Sequence, residues 1–163
     1  VTYQLGALEA FARVVGIPLV HVKPHGALYN LAARDALTAS AIARAVAAYD
    51  PNLILVGLGG SALVDAGVNA GLRVAHEGFP DRAYLPDGQL MPRDQAGALI
   101  TVSEQVASNA VRLVMEGFGG ADQAFRVNTL CLHGDHPSAV DNARLVRGAL
   151  EDAGVEIRPL VES

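Results

Sequence analysis

The sequence predicts an α/β fold with parallel strands. Three observations carry the prediction. Short β-branched runs alternate with longer segments whose apolar residues recur at helical spacing. Glycine or proline punctuates most junctions between them. No repeat, charge block or flexible linker divides the 163 residues, 51% of them hydrophobic and 18% charged, so one domain with one core is expected.

Leu5, Leu8, Phe11, Ala12 and Val15 mark an opening helix that Gly16-Ile17-Pro18 ends. Leu19 to Lys23 is a strand stopping at Pro24 and Gly26, a loop is expected next, and an alanine-rich helix runs from about Leu37 to Tyr49. Asp50-Pro51-Asn52 turns the chain into a buried strand at Leu53 to Val56. Gly57 to Gly60 is then a loop, Ser61 to Ala70 a helix, and Leu72 to about Glu77 a further strand. Phe79 to Ala98 holds Pro80, Pro86, Asp87-Gly88 and Pro92, too many breakers for one regular element, so a loop with a small hairpin is expected. Val102 to Gly117 is helical, Arg126 to Leu132 a strand, Pro137 to Ala153 a helix and Val155 to Arg158 a last short strand.

An open doubly wound sheet and a barrel both satisfy this alternation. A complete barrel takes eight strands and about 250 residues, so a barrel requires N-terminal units beyond those counted here.

The net charge of −5, scattered along the chain, gives no reason to expect nucleic acid as a partner. Cys131 is the sole cysteine, which excludes an internal disulfide and points to a reducing, cytoplasmic setting. Mean hydropathy is +0.28, but glycine and charge interrupt every apolar stretch before the roughly 18 residues a membrane span needs. The first residues have neither the basic start nor the apolar run of a secretory segment.

In parallel β/α folds, sites gather at the carboxyl ends of strands. On the first strand the two-residue period aligns Leu19, His21, Lys23 and, past Pro24, His25 on one face. A lysine there calls for a cavity filled by water or substrate, although a solvated surface strand fits the spacing equally well. His21, deeper in the strand, suits a hydrogen-bonded core position. The third strand aligns Arg73, Ala75 and Glu77, with Asp81 and Arg82 just beyond. Such carboxylates beside an arginine can orient a polar substrate, or Asp81-Arg82 can be a surface ion pair.

The strand from Arg126 runs into His133-Gly134-Asp135-His136-Pro137, with Thr129, Cys131 and His133 sharing a face. Imidazole and carboxylate this close suit an acid/base pair or a divalent metal, though the spacing matches no specific zinc signature and Asp135 can also serve as a helix N-cap. Cys131 suits a small buried strand position. Gly57-Leu58-Gly59-Gly60-Ser61 leaves a strand and opens a helix, where free amides bind anions. It lacks both nucleotide fingerprints, so a plain Ser61 N-cap is favoured, with a substrate carboxylate as the other user of those amides.

Gln4 to Leu8 and above all the run His21-Val-Lys-Pro-His-Gly-Ala-Leu-Tyr-Asn30 resemble the LamB/YcsF family. The resemblance continues through Asp50-Pro51 with Leu53 to Gly57, Glu77 to Tyr84, Asp87-Gly88 and Cys131-Leu-His-Gly-Asp135, in order over nearly the whole chain. It implies an α/β fold of the distorted parallel β/α barrel kind, glycoside hydrolase/deacetylase-like, present here as its C-terminal part. His136 and the Gly78-Phe79-Pro80 stretch depart from the family's usual form.

The activity implied is that of the A component of an ATP-dependent 5-oxoprolinase, opening 5-oxoproline to L-glutamate with ATP as co-substrate and with 5-oxoprolinase subunits B and C as partners. By the same resemblance Lys23 and His25 match the Lys-Pro-His-Gly motif, Glu77, Asp81 and Arg82 the segment before Tyr84, and His133 and Asp135 the His-Gly-Asp motif. These are the candidate catalytic residues. A lactam amide is resonance-stabilised, so ATP would phosphorylate its oxygen. Lys23 and Arg82 would then neutralise charge while His25 or His133, tuned by Asp135 or Glu77, moves protons. Two other readings stand beside this one: a metal-dependent amide or carbohydrate hydrolase or deacetylase with His25, His133 and Asp135 as candidate ligands, and a non-catalytic substrate-binding subunit.

Overall fold

The computed structural model describes residues 1–118, 125–135 and 137–161. It comprises two compact units, Val1–His76 and Glu77–Ser163.

In the first unit α1 (Thr2–Val14) precedes β1 (His21–Val22), α2 (Ala27–Arg34), α3 (Ala36–Tyr49), β2 (Ile54–Leu58), α4 (Ala62–Asn69) and the start of β3 (Arg73–Gly78). β1 and β2 are parallel, His21 opposite Ile54 and Val22 opposite Leu55, and β3 follows β2 in the strand order. A parallel pair needs a long crossover, here supplied by α2 and α3. β2 is buried along its whole length, as its continuous apolar sequence requires. Ile42, Val46, Leu53, Leu55, Leu63 and Leu72 form the core, and each such side chain contributes about 1.5–3 kcal/mol when fully buried.

The local sequence explains where the helices start and stop. Asp35 caps α3, its carboxylate accepting from the Thr38 N–H at 2.8 Å and from the Thr38 hydroxyl. α4 closes around Gly71, whose φ of 77° suits glycine, with Leu72 N donating to Gly67 O at 3.0 Å. α1 forms where helical spacing predicts it, yet of its apolar stripe Leu5 is buried while Leu8 and Phe11 are 58% and 75% exposed.

In the second unit the end of β3 pairs in parallel with β4 (Thr129–Leu130), Glu77 opposite Thr129 and Gly78 opposite Leu130. α5 (Ser103–Met115) and α6 (Ala139–Asp152) pack together through Val106, Ala107, Ala110, Val146 and Leu150. The expected small hairpin is present: Tyr84 bridges Leu90 antiparallel, and Leu85 N donates to Gln89 O at 2.8 Å.

Several elements differ from expectation: α2 forms where a loop was expected, its Tyr29, Ala32 and Ala33 buried on one face, and β1 and β4 are shorter. Of Leu19 to Lys23, only His21–Val22 is strand, and of Arg126 to Leu132 only Thr129–Leu130. Val155 to Arg158 is not a strand: Val155 N donates to Leu150 O at 2.9 Å, closing α6, and Ile157 is 43% exposed. No helix among the described residues is long and apolar enough to cross a membrane.

Gly67 marks the closest approach of α4 to the strands. A Cβ there would lie 2.7 Å from Val74 Cγ1 and 3.1 Å from Leu55 Cδ2. Alanine gains up to about 1 kcal/mol of helix propensity over glycine, but overpacking costs about 1–3 kcal/mol. Gly67→Ala is therefore expected to lower stability by roughly 1–2 kcal/mol, seen as an earlier denaturant midpoint. A later midpoint would contradict this packing.

Candidate active site

The second unit assembles its polar residues at the carboxyl ends of β3 and β4. Asp81 and His133 each follow a paired residue, Gly78 and Leu130, by the same three positions. Cys131 N donates to Gly78 O at 2.9 Å, carrying the pairing one step further. As a result Asp81 Oδ2 accepts from the His133 backbone N–H at 3.0 Å and lies 2.8 Å from His133 Nδ1. Both side chains are largely buried, 12% exposed for Asp81 and 24% for His133.

A carboxylate oxygen accepts, so in the neutral imidazole the proton sits on Nδ1 and Nε2 keeps its lone pair. Phe79 stacks on the His133 ring at 5.8 Å between centroids, fixing its plane. Asp81 Oδ1 is buried without a hydrogen-bond partner among the described residues. A histidine held in this way by a buried acid is an arrangement that can serve as an oriented general base.

The loop bearing Asp81 is braced from several sides. Ile100 N donates to Asp81 O at 2.9 Å, and Asn109 Nδ2 to Pro80 O at 3.2 Å. Arg82 is buried, donating from Nε to Ala98 O at 3.3 Å and from Nη2 to Met91 O at 2.5 Å. Burial chiefly, and then Arg93, lowers its guanidinium pKa from the usual value. The surface ion pair with Asp81 considered from sequence is therefore not what this arginine makes. Two of its donors hold the loop.

Tyr84 accepts from the Phe79 N–H at 2.7 Å and packs on Phe118 at 4.7 Å between ring centroids. Glu77 is buried at the end of β3. Asp135, by contrast, is exposed, its Oδ2 3.4 Å from Arg93 Nη1. Its own backbone N–H and then Arg93 hold its carboxyl below the ordinary range. The acid that meets His133 is thus Asp81, 52 residues away in sequence, where Asp135 or Glu77 was expected.

Lys23 and His25 belong to the first unit. Lys23 Nζ stands 5.4 Å from the Tyr29 ring centroid, and His25 is exposed. His21 is exposed too, correcting the expected core histidine, and Cys131 is half-buried. Among the described residues no group of three His, Cys, Asp or Glu side chains is placed to hold a metal ion. His136 lies outside the described residues. Sequence reasoning missed Phe79 as the platform under His133, since no residue pattern signals which ring a histidine will meet.

Two outcomes follow from this geometry. Neutral His133 is expected to carry its proton on Nδ1, as ring nitrogen shifts report, and Asp81→Asn should mix the tautomers; an Nε2–H majority in the unaltered protein would disprove the orientation. Burial, ahead of every other cause, pushes the Tyr84 phenol up to about 12, against about 10 in an unfolded chain. The folded state thus holds that proton more tightly. The resulting stability is complete below pH ~10 and lost between about pH 10 and 12, on the order of 2–3 kcal/mol. Denaturation midpoints across that range should fall more steeply for the unaltered protein than for Tyr84→Phe.

The chain is similar to known proteins along its whole length. The model of the LamB/YcsF family matches residues 1–163. The A component of 5-oxoprolinase from Thermus thermophilus is 54% identical over 162 residues, covering 97% of this chain. The proteins of the same name from Syntrophobacter fumaroxidans and Pyrococcus horikoshii are 53% and 43% identical, over 96% and 99% of it. The chain spans 64–65% of the length of these relatives. The crystal structure of a lactam utilization protein from Thermus thermophilus superposes with a TM-score of 0.82 at 52% identity, over 96% of this chain and 64% of that one. With a family match along its whole length and a shared fold, the chain belongs to the LamB/YcsF family.

Proposed function

We propose that this chain is part of the A component of an ATP-dependent 5-oxoprolinase, which opens 5-oxoproline to L-glutamate together with subunits B and C. The observation that carries the reading is the Asp81–His133 dyad at adjacent strand ends, in a chain about half identical to proteins named as the A component of 5-oxoprolinase. A distorted β/α barrel of the glycoside hydrolase/deacetylase kind, completed by the remainder of the relatives' length, belongs to the same reading. So does a cytoplasmic setting, in keeping with the lone Cys131.

Water attacks an unactivated lactam slowly because resonance delocalises the nitrogen lone pair into the carbonyl. Transfer of the ATP γ-phosphoryl to the lactam oxygen makes the ring carbon electrophilic. His133 Nε2 takes a proton from the attacking water, then returns it to the ring nitrogen as the C–N bond breaks. The acyl phosphate left behind is hydrolysed by a second water to glutamate and phosphate. Asp81 stabilises the imidazolium formed in between, and its fixed hydrogen bond keeps Nε2 towards the substrate. Glu77, buried beside this strand end, is a further proton carrier. Arg82 keeps the Asp81 loop in place. Asp135 orders the mouth of the site through Arg93.

The test is ATP-dependent glutamate release from 5-oxoproline by the protein at its relatives' full length, mixed with subunits B and C, each omitted in turn. Turnover in the complete mixture alone supports the reading, whereas turnover unchanged without this protein sinks it. Within the active mixture, His133→Gln and Asp81→Asn are expected to lower kcat by about 10²–10⁴-fold. Asp135→Asn, which breaks an exposed ion pair, should change it by no more than about fivefold. Equal losses at Asp81 and Asp135 would remove the dyad from the mechanism.

A further inference from the structure

β2 ends at Leu58, and the chain turns through Gly59 and Gly60, the latter at φ 70°, into α4. Ser61 occupies the N-cap position with φ −90° and ψ 160°. From that position a side chain overhangs the first helical turn and ordinarily accepts from an amide there. Ser61 makes no such bond, correcting the plain N-cap expected from sequence. The residue is 1% exposed, and its Oγ has no hydrogen-bond partner among the described residues. Leaving a buried hydroxyl unsatisfied is costly, because it gives up its bonds to water and gains none in return. Alanine would fill the same space without that cost, so the serine is better explained by a group that comes to it.

The turn has donors to offer such a group. The first intrahelical bond of α4 is Asp65 N to Ser61 O at 3.1 Å, which leaves the amides of Ala62, Leu63 and Val64 without helical acceptors. Together with the helix dipole these amides favour an anion. Asp65, the acidic residue of the turn, is exposed, where solvent screens its charge. A cation leaves the same edge of the unit: β1 is parallel to β2 with Val22 opposite Leu55, and Lys23 follows at its carboxyl end. The Tyr29 ring beside Lys23 sits on α2, which packs on both β2 and α4.

We propose that the turn from Gly59 to Val64 binds an oxyanion through the Ser61 hydroxyl and the amides of Ala62, Leu63 and Val64, with Lys23 as countercharge. Carboxylate and phosphoryl oxygens share this chemistry. Naming them as the lactam carboxylate or an ATP phosphate rests on the 5-oxoprolinase reading, whereas the anion site itself does not.

The experiment is an amide NMR titration of the full-length protein with inorganic phosphate, acetate and 5-oxoproline, repeated on Ser61→Ala. The amides of Ala62, Leu63 and Val64 are expected to shift. Ser61→Ala should weaken that binding about tenfold without lowering the melting temperature. Shifts with phosphate alone assign a phosphoryl group, and shifts with acetate and 5-oxoproline assign a carboxylate. No shift of these amides with any of the three, or undiminished affinity in Ser61→Ala, overturns the proposal. No readout uses turnover, so failure of the anion site and failure of the 5-oxoprolinase reading are distinguishable.

Discussion

Parallel strands send their following loops to one edge of a sheet, and the register of β3 against β4 decides which residues meet there. Glu77 opposite Thr129 and Gly78 opposite Leu130 set two loops in step, so that Asp81 and His133 emerge level with each other. A slip by one residue would turn each side chain to the opposite face and part the dyad. The packing of α5 on α6 and the bonds holding residues 79–100 support this register rather than add separate functions. Arg82 on two carbonyls and Asn109 on a third keep the Asp81 loop from swinging away.

The buried polar groups divide by how they are satisfied. Arg82 is tied to the chain's own carbonyls, and Asp81 Oδ2 serves two donors of His133. Asp81 Oδ1 and Ser61 Oγ are buried without partners among the described residues. Buried polar atoms are nearly always paired; Asn142 Oδ1 on α6 is a further exception, and what sets Asp81 and Ser61 apart is their place. Both lie just beyond the carboxyl ends of strands, β3 and β2 respectively, where parallel β/α folds carry their sites.

Much of this was legible in the sequence. Helical spacing located α1, α3, α5 and α6; in α3, α5 and α6 a buried face leaves that period in the chain, whereas α1 buries Leu5 of its stripe and exposes Leu8 and Phe11. The breakers between Phe79 and Ala98 announced the loop and hairpin, and the alternation around Ala75 and Glu77 matched the buried face of β3. Strand lengths were overestimated at β1 and β4, since an apolar run becomes strand only as far as a neighbour's backbone extends to pair with it. The same holds at Val155, whose amide closes a helix instead.

By itself the sequence determined the β/α alternation, though neither α2 nor the absence of a strand at Val155, much of the apolar core and the motifs that resemble one family, all properties of neighbours along the chain. It also singled out His133, Asp81 and Asp135 as polar residues at strand ends. Which acid meets the histidine was decided only by tertiary structure: Asp135 is two residues from His133, yet Asp81, 52 residues away, holds the ring. The physical reason is that the pairing is written in a backbone register between β3 and β4, set by hydrogen bonds that no side-chain pattern encodes.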